Sequence, residues 1–262
     1  MTNNEYHAEA SITNSMLKIY RRSPALYEKM YVSRTIEREP PSPEMMLGSL
    51  VHCMVGGFPV ETEFLPVAGC KIRSGKAWEA GEAEAREKGL TPVLESQVES
   101  AKIIAEAVLR SEARAYWESA EAVKEEPIFF TGINELPCKC KPDLLLPMAG
   151  LCIDLKTSSD PAQFARQAWD YEYHAQAAMY RDGIKASDHG FDANFIFVVV
   201  GNKEPFDVIL YEASRRFLSH GWNLYAESAA ALARSIADNR WEHPLSLEIQ
   251  TLDPPYWVKE EL

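Results

Sequence analysis

CKCKPDLLLPMAGLCIDLKTSSD, residues Cys138 to Asp160, is rich in Leu and Ile yet carries Asp143, Asp154 and Lys156 inside its apolar runs. The four residues from Pro147 to Gly150 suit a hairpin loop between two strands. A loop of that length sets Leu146 opposite Leu151 and Asp143 opposite Asp154. Side chains alternate faces along a strand, so Leu144, Leu146, Leu151, Ile153 and Leu155 share one apolar face, expected to be core. The other face carries Lys141, Asp143, Cys152, Asp154 and Lys156. Directly opposed residues have Cβ atoms about 4.5–5.5 Å apart, and two carboxylates at that separation destabilise the pair unless positive charge intervenes. Lys156 supplies one such charge, and a divalent cation would supply more. The alternative is an exposed sheet face with a solvated salt bridge.

Outward from the hairpin, AVKEEPIFF (122–130), LPCKCKPDLLL (136–146) and LCIDLKT (151–157) read as a three-stranded meander. Helices are expected over about 160–186, then strands NFIFVVV and FDVILYE, then a long helix over about 214–237. Upstream, Ser23-Pro24 opens a helix through Tyr27, and Ser42-Pro43-Glu44 opens one that stops at Gly56-Gly57. Ser74 precedes a polar helix ending near Gly89, and 96–118 hold one or two more. SRTIEREPPSP, 33–43, is a proline-rich loop. This order predicts an α/β (α+β) fold with a central mixed sheet flanked by helices and a helical N-terminal portion. One domain over 1–262 is the simplest organisation: 1–120 mostly helical, 121–212 the sheet with its helices, 213–262 a helix and tail.

Of the 262 residues 46% are hydrophobic and six are Trp, enough for a sizeable core. The opening MTNNEYHAEA lacks a basic start followed by an apolar stretch, and no run of about 18 apolar residues occurs. The expectation is a soluble cytoplasmic protein with no membrane association. Five cysteines make no disulfide framework and suit a reducing compartment. The net charge of −12, from 27 Lys+Arg against 39 Asp+Glu, argues against a surface that clings to nucleic acid throughout. A DNA-binding chain of this composition would have to confine its cations to a channel.

Two carboxylates beside a lysine suit Mg²⁺ or Mn²⁺, which can activate water and stabilise charge on a phosphoryl oxygen. Pro142-Asp143, ten residues, then Asp154-Leu155-Lys156 has the spacing of the PD-(D/E)xK nuclease motif. Its surroundings add detail. Lys139 to Gly183 resembles the nuclease domain of the RecE (exonuclease VIII) family, with Tyr171, Tyr173, His174, Gln176 and Tyr180 matching a Y-x-Y-H-x-Q-x-x-x-Y signature. YHAEASITNSML with SPALY, LGSLVHCMV, RSGKAWE and PPYWVKEE look like the family in order and spacing, more loosely between 90 and 135.

The resemblance implies a restriction-endonuclease-like core and a set of roles. Asp143 and Asp154 would hold one or two Mg²⁺ ions, with Mn²⁺ able to substitute, and His52 and the Leu155 backbone carbonyl would complete the shell. Lys156 would orient water, and Gln176 and Tyr180 would position it or the phosphate. Taken alone, a helical histidine such as His52 is often a core residue, and Tyr180 a packing residue. Glu125 matches a further acidic position, with adjacent Glu126 competing for it. Lys71, Arg73, Ser74 and Lys76 cluster where a helix begins and suit a DNA strand or terminal phosphate, or equally a solvated loop; Arg21 and Arg22 are weaker candidates. Some related nucleases carry a four-cysteine iron–sulfur cluster, but this chain has no cysteine after Cys152. Cys138 and Cys140 are expected on the apolar face and Cys152 on the acidic one, so neither cluster nor zinc is expected.

The same resemblance implies 5′-to-3′ digestion of linear double-stranded DNA from its ends, leaving 3′ single-stranded tails. It also implies a ring-shaped homo-oligomer, a tetramer, and a phage recombination role with a RecT-type strand-annealing partner. Two alternatives stand beside it: an endonuclease or structure-specific nuclease on the same core, and a non-catalytic DNA-end or protein-binding module.

Overall fold

The structure is a computed structural model that describes residues 3–37, 39–243, 249, 251 and 252; the PPYWVKEE stretch lies outside them. The N-terminal part runs α1 (Asn3–Ala8), α2 (Asn14–Arg22), α3 (Pro24–Tyr27), α4 (Pro43–Gly56), β1 (Phe64–Val67), α5 (Lys76–Lys88), β2 (Thr91–Leu94), α6 (Glu95–Arg110) and α7 (Arg114–Trp117). There follow β3 (Val123–Lys124), β4 (Ile128–Thr131), β5 (Pro137–Cys140), β6 (Leu144–Leu146), β7 (Leu151–Ser158), α8 (Phe164–Asp170), α9 (Tyr173–Ala186), β8 (Asn194–Gly201), β9 (Val208–Glu212) and α10 (Arg215–Asp238).

The expected helix starts hold. Ser23, Ser42 and Ser214 each accept a hydrogen bond from a backbone N–H of the following first turn, and α4 ends on Gly57 in the left-handed conformation. Gly75, one residue beyond Ser74, precedes α5 instead. Among the described residues no helix is long and apolar enough to cross a membrane.

The central sheet has the order β3-β6-β7-β8-β9, mixed as expected: β7 and β8 are parallel, the other neighbours antiparallel. A parallel pair needs a crossover, which α8 and α9 supply. The hairpin register is the anticipated one, with Leu144 opposite Ile153, Leu145 opposite Cys152 and Leu146 opposite Leu151.

Three expectations are corrected. The meander does not form; its first two segments each break in two, and β4 pairs with β5 as a separate ribbon. Glu125 takes a positive φ of 51°, and Pro127 and Pro142 have no N–H for a ladder, so the chain leaves the sheet at both places. Secondly, the alternative of an exposed sheet face does not hold: Leu145 and Cys152 are buried in one core with Phe195, Phe197 and Val199 and with residues of α9 and α10. Leu144, Ile153 and Leu155 pack on the other side with Leu50 and Ile104 of α4 and α6. Both faces of β8 are covered too, which is why NFIFVVV is continuously apolar. Thirdly, Cys138, Cys140 and Cys152 share one core instead of being split between faces. Their sulfur atoms nevertheless do not figure in any group of three converging metal-ligating atoms among the described residues. The parallel pair of β1 and β2, a small sheet of its own, was not anticipated.

Candidate active site

The ladder between β6 and β7 stops at Leu144 and Ile153, while β7 runs on to Ser158 beside β8. Beyond that point β7 has a free edge on the β6 side, and Asp143, one residue before β6, turns into it. Its Oδ2 accepts a hydrogen bond from the Leu155 backbone N–H at 2.6 Å. A strand residue's N–H and C=O point to the same side, so the Leu155 carbonyl is directed to the same gap. The opposed aspartates of the sequence reading thus become a cleft in which a carboxylate replaces a ladder partner.

Helix α4 brings His52 to this cleft. The helix lies close to the sheet at Gly48, where a Cβ would stand 3.4 Å from Thr157 Oγ1 of β7, in van der Waals contact. His52 Nδ1 lies 3.1 Å from Asp143 Oδ1. On the third side Glu125 donates its backbone N–H to the Asp143 carbonyl at 3.2 Å. Ligand atoms of His52, Glu125 and Asp143 all lie within 4.8 Å of one another. The geometry also separates Glu125 from its neighbour, since Glu126 points away to His189, 3.0 Å distant.

Asp154 sits deeper, only 2% exposed. Its Oδ1 accepts from Gln176 Nε2 at 2.9 Å, and its Oδ2 contacts the Lys156 ammonium. That ammonium also lies 4.7 Å from the centre of the Tyr173 ring, a cation–π contact. Tyr180, four residues along the same helix face as Gln176, is packed against Phe195. Sequence reasoning missed two contributors. Lys141 Nζ lies 2.7 Å from Glu125 Oε2; its place two residues before Asp143 on the acidic face was the available signal. Tyr173 stood in the quoted signature, but only the fold puts its ring under Lys156.

Charges in the cleft shift one another's protonation. Burial opposes a charged imidazole at His52, yet the neighbouring Asp143 outweighs it and raises its pKa. Burial likewise pushes Asp143 up, but His52, Lys156 and the Leu155 N–H together hold it below the usual carboxylate range. Glu125 is raised by burial and by Asp143, with Lys141 opposing. Asp154 is raised by burial despite Lys156. One imidazole nitrogen and two carboxylates are a donor set that can hold a divalent metal ion, and the crowding of the carboxylates is relieved by positive charge.

The basic segment is elsewhere. Arg73 donates to the Pro41 carbonyl at 3.2 Å and lies over the Trp78 ring, so it fastens the loop before α4; Lys71, Ser74 and Lys76 are exposed. Arg21 is spent on Glu172 and Ser228, at 2.5 Å and 3.1 Å.

Residues 13–244 match the family described as a PDDEXK-like domain of unknown function. The chain belongs to this family. No curated protein shows significant sequence similarity to this PDDEXK-like chain. Among solved structures, a protein named "Putative exonuclease" from Eubacterium rectale is similar over 97% of this chain and 95% of its own, at 14% identity and a TM-score of 0.65. At that identity the likeness establishes a shared fold. The protein SSO0001 aligns over 82% of this chain and 84% of its own at 11% identity, with a TM-score of 0.32 that carries no argument. The PD-(D/E)xK nuclease fold expected from the hairpin is therefore the fold of this PDDEXK-like protein, and a nuclease core that engages DNA is the coarse reading it supports.

Proposed function

We propose that this protein is a Mg²⁺-dependent exodeoxyribonuclease that digests linear double-stranded DNA 5′ to 3′ from its ends. The observation that supports the reading is the group of His52, Glu125 and Asp143 at the free edge of β7, with the Asp154–Lys156 pair on that same strand. His52, Asp143, Glu125 and the Leu155 carbonyl would hold the cation, with Asp154 bordering the site. When bound, the cation supplies charge stabilisation at the phosphoryl and leaving oxygens and activates water. In contact with Asp154, Lys156 keeps its proton, so it donates to the attacking water or a non-bridging phosphate oxygen and is not the base. Gln176 fixes the Asp154 carboxylate through its amide, and Tyr180 closes the apolar wall behind it. Lys141 neutralises Glu125 and holds it in place.

The RecE resemblance extends the reading to one nuclease domain, a tetrameric ring, 3′-tailed products passed to a RecT-type annealing protein, and a cytoplasmic site of action. Lys71, Ser74 and Lys76, exposed before and at the start of α5, would meet phosphates, with Arg73 held back in the loop.

The deciding assay compares end-labelled linear duplex with covalently closed circular duplex. Mononucleotide release from the linear DNA in Mg²⁺, abolished by EDTA, with the circle intact, is expected. Nicking of the circle would favour an endonuclease on the same core, and binding without turnover a non-catalytic module. A separate measurement addresses the cation alone. His52→Ala is expected to weaken Mn²⁺ binding, followed by electron paramagnetic resonance, by at least about tenfold, the loss typical of removing even an outer partner of a ligand. Unchanged Mn²⁺ affinity would remove His52 from the site.

A further inference from the structure

Although the protein carries a net charge of −12, one surface beside the cleft gathers cations and exposed rings. It starts at Lys156, under which lies Tyr173. Tyr173 meets Tyr171 edge-on with ring centres 5.8 Å apart. Tyr171 is 50% exposed, with the Lys18 ammonium 5.5 Å from its ring centre. Two residues earlier Trp169 is 49% exposed. Its indole stacks flat on the buried His174 ring at 4.6 Å and meets His220 edge-on at 5.5 Å. Trp169, Ser214, Arg216, Phe217 and His220 line a cavity of about 260 Å³ with no carboxylate among them. A second hollow of about 270 Å³, between the end of β7 and α8, is bordered by Tyr171, Ser158, Gln163 and Gln167 and by two acids, Asp160 and Asp170. Asp170 is directed to Arg166 at 3.7 Å.

Single exposed aromatic residues need no explanation. Here, however, Tyr173 and Tyr171 follow Lys156 in contact, and Trp169, two residues before Tyr171, borders a hollow with two basic side chains, Arg216 and His220. That composition suits unpaired bases, whose faces stack on aromatic rings while arginine meets the phosphates. A closed duplex offers no free base face to such rings. The carboxylate-free cavity favours the polyanionic backbone at Arg216, whereas the hollow with Asp160, Asp170 and the glutamines favours base edges and sugar hydroxyls.

We propose that Tyr171, Trp169, Arg216 and His220 form a platform for unpaired DNA bases, with one base on Trp169 and its phosphate at Arg216. The proposal deepens the nuclease reading and rests on it for the identity of the polymer. The test titrates the full chain into fluorescein-labelled single-stranded oligodeoxythymidine in EDTA, so that no hydrolysis intervenes, and follows anisotropy. Trp169→Ala is expected to weaken binding about tenfold, and Trp169→Phe, which keeps a ring and its packing on His174, to retain most of the affinity. Arg216→Ala should reduce the slope of log affinity against log salt by about 0.7, one phosphate contact on a single strand. Parental affinity and salt slope in both alanine variants overturn the platform, as does a parent protein that binds no single strand. If the variants lose binding while the parent cleaves no DNA in Mg²⁺, the platform is supported and the nuclease reading alone fails.

Discussion

Lys156→Ala is expected to lower the rate of phosphodiester hydrolysis on the order of 10³-fold, the usual loss when a positioned donor or proton-handling group is removed from an active site. Two effects are mixed in that variant. The ammonium that meets water or phosphate disappears, and Asp154, 2% exposed, keeps only Gln176 as a partner. Breaking a buried pair by removing one member costs about 3–5 kcal/mol, so part of the loss could be unfolding. The second variant separates them. Asp154→Asn alone leaves the lysine without its counter-charge, but Lys156→Ala combined with Asp154→Asn leaves no uncompensated charge in the cleft. The double variant should recover most of the thermal stability while remaining inactive on end-labelled DNA. Activity returning together with stability would mean that Lys156 matters to the fold and not to the chemistry.

The sequence exposed the hairpin and its chemistry because both are local. The Pro147–Gly150 loop fixes the register, and register fixes which residues oppose. What it did not expose depends on partners distant in the chain. Whether the face of the hairpin with Cys152 and Leu145 was open or covered turned on α9 and α10, which share one core with those two residues and which no strand pattern reveals. The split of the meander was locally encoded, in Glu125-Glu126-Pro127 and Lys141-Pro142, but a turn inside an apolar run is easily read as part of the strand. Glu125 and Glu126 are indistinguishable by type; only the positive φ at Glu125 sends one to His52 and the other to His189. Arg73 shows what the sequence leaves unseen about a charge, since its contact with the Pro41 carbonyl is made across 32 residues.

The helix that carries Gln176 is also the place where the fold tolerates least change, and Gly221→Ala tests this. A Cβ at Gly221 of α10 would stand 1.9 Å from the His174 carbonyl oxygen and 2.4 Å from its carbon. Both are backbone atoms in the first turn of α9, so no rotamer change relieves the clash. Nor can α9 retreat, because Ala175, Ala177 and Ala178 press its other sides into the core, and Tyr225 of α10 ties it again through Asp182 at 3.1 Å. Overpacking typically costs about 1–3 kcal/mol when side chains can yield; a backbone collision belongs at or above the upper end, which for a chain of this size lowers Tm by roughly 6–12 °C. Trp222→Ala, at the adjacent and half-exposed position, is the control and should shift Tm far less. Whatever Gly221→Ala protein remains folded must tilt the start of α9, drawing Gln176 away from Asp154 Oδ1, so its kcat on end-labelled DNA at a temperature well below Tm should fall. A Gly221→Ala protein with parental Tm and parental kcat would show that the two helices are not packed backbone to backbone at this point, and that Gln176 does not depend on that contact for its hold on the carboxylate.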